Sequence, residues 1–148
     1  MSIWWSLHLR REAASVPLAR RLLLGTMETA GVDPEISFDL SVALSEACAN
    51  AVEHGGDGGS SEAYRVTAYL DGEKCRIEVA DAGPGFPPGG HRGPIRAAHV
   101  EAEHGRGLCL IQELADHVQI GNKPGRGGAV VSFDKILKWR KGAPLMAV

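Results

Sequence analysis

Apolar positions along this chain keep two different periods, and the switches between them mark out its elements. From Ile3 to Arg10 apolar and polar residues alternate, the period-two signature of a half-buried strand. Leu18, Leu22, Leu23 and Met27 then recur at helical spacing, with Ser15 as the cap, Pro17 in the first turn and Gly31 as the stop. Asp33-Pro34-Glu35 restarts a helix in the same way, and this second helix runs to about His54. Gly55 to Ser61, glycine- and serine-rich, predicts a flexible connection. Tyr64 to Leu70 and Cys75 to Ala80 read as strands, and Asp71-Gly72 between them signals a hairpin. Residues 82–104 carry no apolar period but many Gly, Pro and His, so a long functional loop of the lid type is expected there. Gly105 to Asp116 is a helix with Leu108, Ile111 and Leu114 on one face. Val118 to Ile120 and Ala129 to Phe133 are strands joined through a turn at Gly125 to Gly128. The order β-α-α-β-β-loop-α-β-β predicts a two-layer α/β sandwich with a mixed, mainly antiparallel sheet. Residues 1–134 form the domain and 135–148 a C-terminal extension.

Composition narrows this picture only where it excludes. A chain of 148 residues is one domain's worth, and 18 acidic against 16 basic residues leave a net charge of −2, which is no nucleic-acid footprint. The basic cluster Lys135, Lys138, Arg140 and Lys141 reads as a solvated tail. Three cysteines, Cys48, Cys75 and Cys109, have no metal spacing and sit among apolar residues. They read as reduced core thiols of a cytoplasmic protein. Met1 to Leu9 reaches Arg10-Arg11 too soon for a signal peptide or membrane span.

Candidate chemistry concentrates in three stretches: Glu46 to His54, Asp81 to Phe86, and Gly105 to Leu108. On a helix Asn50 lies about 40° and His54 about 80° from Glu46, on one stripe. Leu40, Leu44, Cys48 and Ala51 form a separate apolar face. One helix thus presents a carboxylate able to act as base, an amide oxygen suited to a hard cation, and an imidazole. His54 either polarises Glu46 or caps the helix end, and reads as a structural or supporting group. Asp81 ends a strand as an acceptor able to meet an adenine amino group, and Gly83 and Gly85 clear space beside it. Gly105, Arg106, Gly107 and Leu108 open a helix whose N–H groups favour phosphate. No Gly-Lys of a Walker loop occurs, nor the DFG and VAIK motifs of protein kinases. His91, His99 and His104, with Glu101 and Glu103, have spacings that fit no helix face and read as solvent-facing loop residues.

Together the three stretches resemble the N, G1 and G2 boxes of the GHKL ATPase superfamily. The EAxxNAxxH form at Glu46 to His54 and the Ser15 to Arg21 helix start are similar to its stand-alone anti-sigma factor serine-kinase branch. The resemblance spans about residues 5–134. It implies a Bergerat-type ATP-binding fold, ATP and Mg2+ as cofactors, and Glu46 as the base. It further implies Asn50 as the magnesium ligand, Asp81 as the adenine reader, Gly83 and Gly85 beside the base, and Gly105 to Leu108 at phosphate. The partners it implies are an anti-anti-sigma protein of the STAS type and a sigma factor, with a homodimer as the assembly. Where relatives often carry Gly-Thr near the last strand, this chain has Gly127-Gly128-Ala129, so no hydroxyl supports Asp81, which implies either weaker adenine affinity or a water in its place. The alternative is a module that holds ATP, or has lost it, and sequesters its partner without phosphotransfer, a reading favoured by the missing threonine and the Gly/His-rich lid. An intact Glu46 favours the enzyme.

Overall fold

A computed structural model describes residues 1–54, 63–82, 103–122 and 128–145. The expected flexible connection and lid, Gly83, Gly85 and the Gly125 turn fall outside the described residues. Five strands, β1 (Ile3–Arg10), β2 (Ala63–Leu70), β3 (Lys74–Ala80), β4 (His117–Asn122) and β5 (Ala129–Ile136), form one sheet in the order β1-β2-β3-β5-β4. All four pairings are antiparallel. Among the described residues three helices, α1 (Ser15–Ala30), α2 (Pro34–His54) and α3 (Glu103–Leu114), complete the two-layer sandwich.

The register explains how one face of the sheet becomes core. Trp5 lies opposite Ala68, Ala68 opposite Ile77, Ile77 opposite Phe133 and Phe133 opposite Val118, so a single apolar row crosses all five strands. One residue along, the row is Trp4, Tyr69, Arg76, Asp134 and His117, and it faces away from that core. Over the apolar face, α2 touches β2, β3 and β5, α1 touches β1, and α3 touches β4. The apolar stripe read on α2 is the buried one: Leu40, Leu44, Cys48 and Ala51 are all within 2% of full burial. Each fully buried leucine contributes about 1.5–3 kcal/mol of transfer free energy.

Both long helices start at expected positions, but by different means. Asp33 Oδ1 accepts the Glu35 N–H at 2.8 Å, the N-cap bond anticipated for α2. Ser15 is no cap. It is the first helical residue, behind Ala14, and its hydroxyl donates to the Glu12 carbonyl and bonds the Tyr64 hydroxyl. A partner 49 residues away on β2 thus outcompetes the local cap. Gly31 terminates α1 at φ 89°, where a side chain is disfavoured. The hairpin turn is held by Asp71, whose Oδ1 accepts from Glu73 and Lys74 N–H groups, and these bonds hold its carboxyl below the usual carboxylate range. Helix α3 begins and ends two residues earlier than expected. Asp116 is instead drawn to β5, where its Oδ2 accepts the Ile136 N–H at 2.6 Å.

The expected reduced thiols are free, with Cys48 and Cys75 buried and Cys109 partly so. Burial pushes the Cys48 thiol up to about 12, against a weaker opposing hydrogen bond to Tyr64. The basic tail is not simply solvated. Lys138, Arg140 and Lys141 are exposed, but Leu137, Ala143 and Leu145 are buried. Backbone bonds from Asp33 to Lys138, Arg140 to Gly31 and Leu145 to Ala30 lay this segment over the α1–α2 turn. A Cβ on Gly31 would meet that of Ala143 at 2.5 Å, so glycine is required there twice over. No helix among the described residues is long and apolar enough to cross a membrane.

Candidate active site

The functional stripe of α2 lies on the flank of the helix away from its apolar face. Glu46 is half-buried and Asn50 is 9% exposed, one helical turn further on. Asn50 Oδ1 is buried with no hydrogen-bond partner among the described residues. An orphan acceptor of this kind costs about 1–3 kcal/mol. Native proteins keep such groups where a ligand, ion or water completes them. A carboxamide oxygen is a hard, neutral donor, so the observation fits a magnesium ion that keeps most of its ligands as water and phosphate.

His54 occupies the last turn of α2, where it complements the helix dipole. Its Nε2 lies 3.4 Å from Glu53 Oε2. Two turns, about 12 Å of rise, separate it from Glu46, too far to polarise that carboxylate directly.

Asp81, 6% exposed, follows the end of β3. Its backbone N–H donates to the Ala129 carbonyl, and its Oδ1 accepts the Ala129 N–H, each at 3.0 Å. A backbone donor, the Ala129 N–H, thus supports the Asp81 carboxylate. This second bond orients the carboxylate.

On α3, Leu108 and Ile111 are fully buried and key the helix into the core, where α3 packs on α2. That contact brings the first and third stretches together: a Cβ built on Gly107 would lie 3.0 Å from Glu46 Oε2. Gly105 is the third residue of α3, within the turn that carries unpaired N–H groups. Arg106 is helical, and its side chain is outside the described residues. The lid histidines lie outside them too, save the helical backbone at His104. Among the described residues no group of His, Cys, Asp and Glu is arranged to hold a metal.

A family model for the histidine kinase-like ATPase domain matches residues 9–135. The chain belongs to that family. Among curated relatives of this histidine kinase-like ATPase, the serine-protein kinase RsbW of Bacillus pumilus is 38% identical over 128 residues, covering 80% of this chain and 78% of that one. The anti-sigma F factor of a Thermoanaerobacter species is 30% identical over 105 residues, covering 68% and 73%. Among solved structures, the RsbU and RsbW domains of Rv1364c from Mycobacterium tuberculosis superpose with a TM-score of 0.64 at 24% identity. The match covers 90% of this chain but only 33% of that longer one, and it speaks for the fold. The resemblance carried by the three boxes thus holds for family, fold and kinase class.

Two contributors to the site of this ATPase left no mark in its motifs. One is the Ala129 N–H, since a backbone donor has no side-chain signature. The other is Arg11, whose Nε donates to Ala51 O at 3.2 Å and whose Nη2 donates to Val52 O at 2.7 Å. These carbonyls belong to the last turn of α2, and a guanidinium closing them fixes the helix end just beyond Asn50. An arginine following a strand is too common for its sequence position to reveal this.

Proposed function

We propose that this ATPase is an ATP- and Mg2+-dependent protein serine kinase that phosphorylates a STAS-type anti-anti-sigma protein and holds a sigma factor in its unphosphorylating state. The observation that carries the reading is the buried oxygen of Asn50, which has no partner among the described residues and lies one turn from Glu46 on the same flank of α2. Asn50 would hold the magnesium ion, which when bound neutralises phosphate charge. Asp81, oriented by Ala129, would accept a hydrogen bond from the adenine amino group. The first turn of α3, with Gly105 and Arg106, would face the phosphates.

The step follows from these placements. The serine oxygen bonds to the γ-phosphorus as the bond from that phosphorus to the β–γ bridging oxygen breaks. Glu46 takes the hydroxyl proton, and ADP leaves with the electron pair.

The test is incubation of the purified chain with labelled ATP, magnesium and the STAS proteins encoded beside it, with light scattering on the same mixture to follow homodimer and partner complexes. Phosphoserine on a STAS protein is the expected product. Stable binding of ATP and a STAS protein with no phosphoserine at any time would instead establish the sequestering module. Asp81→Asn keeps an oxygen for Ala129 but turns an NH2 toward the base. Calorimetry should register a loss of adenine-nucleotide affinity of about 1–3 kcal/mol, and unchanged affinity would remove the adenine-reader role.

A further inference from the structure

Glycine inside a helix is costly, and Gly107 is inside one. It is the fifth residue of α3, past the N–H groups that an α-helix leaves unpaired at its start. Its φ is not positive, so no backbone conformation demands glycine, and alanine there would stabilise the helix by about 1 kcal/mol. What excludes alanine is the neighbouring helix. A Cβ would stand 3.0 Å from Glu46 Oε2, tighter than ordinary van der Waals contact, and 3.9 Å from Glu46 Cβ. With Leu108 and Ile111 fully buried, α3 cannot rotate to relieve that approach. The group that would give way is the carboxylate, the far end of a flexible side chain.

We infer that Gly107 is a positioning residue for Glu46: its bare Cα is the wall against which the carboxylate rests, and it acts through that side chain rather than through a phosphate contact. The inference rests on reading Glu46 as the base. It separates two roles within the third motif. Gly105, in the first turn, has an N–H to offer phosphate. Gly107 offers the absence of a methyl group.

The variant Gly107→Ala tests this. Because the displaced atom is a mobile carboxylate, the fold should be kept and the melting temperature of the nucleotide-free protein should hold or rise. In that nucleotide-free protein, the Glu46 carboxylate carbon resonance should shift. ATP affinity by calorimetry should stay within about twofold of wild type. Phosphotransfer kcat should fall roughly 10- to 100-fold, the scale of a base misplaced by a fraction of an ångström to one ångström. In a Glu46→Gln background the same alanine should cause no further loss, since residues acting as one unit are not additive.

An affinity loss as large as the rate loss would overturn the inference in favour of a phosphate contact. So would an unmoved Glu46 resonance, or an equal rate loss in both backgrounds. If Glu46→Gln alone keeps full phosphotransfer, it is the base assignment that fails, while a shifted resonance in Gly107→Ala still supports the contact.

Discussion

Replacing Glu46 by glutamine is expected to leave ATP and partner binding in place while slowing phosphotransfer by ~10²–10⁴-fold, the usual worth of a positioned general base. Glutamine matches the shape of glutamate, so the packing of this side chain beside Gly107 is not disturbed and the α2–α3 contact survives. What disappears is the ability to take the serine proton. Calorimetry with ATP, pull-down of the STAS partner and phosphoserine formation, measured on one preparation, separate these effects. A variant that transfers phosphate at the wild-type rate would show that the hydroxyl proton goes elsewhere. A variant that loses ATP affinity as well would make Glu46 a binding group.

Asn50→Ala is expected to act on the other side of the reaction. Losing the neutral oxygen proposed to anchor the cation should weaken Mg2+-dependent ATP binding ~10–100-fold, about 1.4–2.7 kcal/mol, and phosphotransfer should fall with it. Binding measured in EDTA should change little. The nucleotide-free protein should meanwhile be as stable as wild type or more so, because the substitution removes a buried acceptor with no partner among the described residues. A residue whose removal harms the liganded state and spares the empty one is conserving function at the cost of stability. If Asn50→Ala lowers affinity equally with and without Mg2+, the cation is held by other groups.

The sequence carried most of this architecture because its strongest signals are periodic. The apolar stripe Leu40, Leu44, Cys48 and Ala51 is short-range information, and it is the stripe that is buried. Asp33 caps α2 through a bond two residues long, which is also local. Readings slipped where a distant partner decided. Ser15 has the chemistry of a cap, but the Tyr64 hydroxyl claims it. Asp116 continues the helical pattern of α3, but the end of β5 takes its carboxylate. The site divides in the same way. Residue types at Glu46, Asn50 and Asp81 suggested the proposed chemistry, since side-chain oxygens are visible in a sequence. The Ala129 N–H that orients Asp81 and the Arg11 cap on α2 needed the fold to bring them there. Gly107 fell between these cases. Its identity was visible, but its reason is a contact with a residue 61 positions earlier, and no motif conveys a contact.

The strand order has a consequence for how the chain comes to be folded at all. β5, the last of the described strands in the sequence, lies between β3 and β4 and supplies Val131 and Phe133 to the apolar face of the sheet. β1, the first made, finds its partner only when β2 follows more than fifty residues later. A chain emerging from the ribosome can therefore fold its α1–α2 pair and its β2–β3 hairpin from near-neighbour contacts, but it cannot close its sheet. Until β5 arrives, β3 and β4 each show an apolar strand edge to the cell, the kind of exposure that invites aggregation and chaperone binding. Synthesis stalled shortly before Ala129 should leave a protease-sensitive, chaperone-bound species, and extension through Ile136 should convert it to a protected one. The nucleotide site shares that fate, since the backbone donor that orients Asp81 belongs to the first residue of the same late strand.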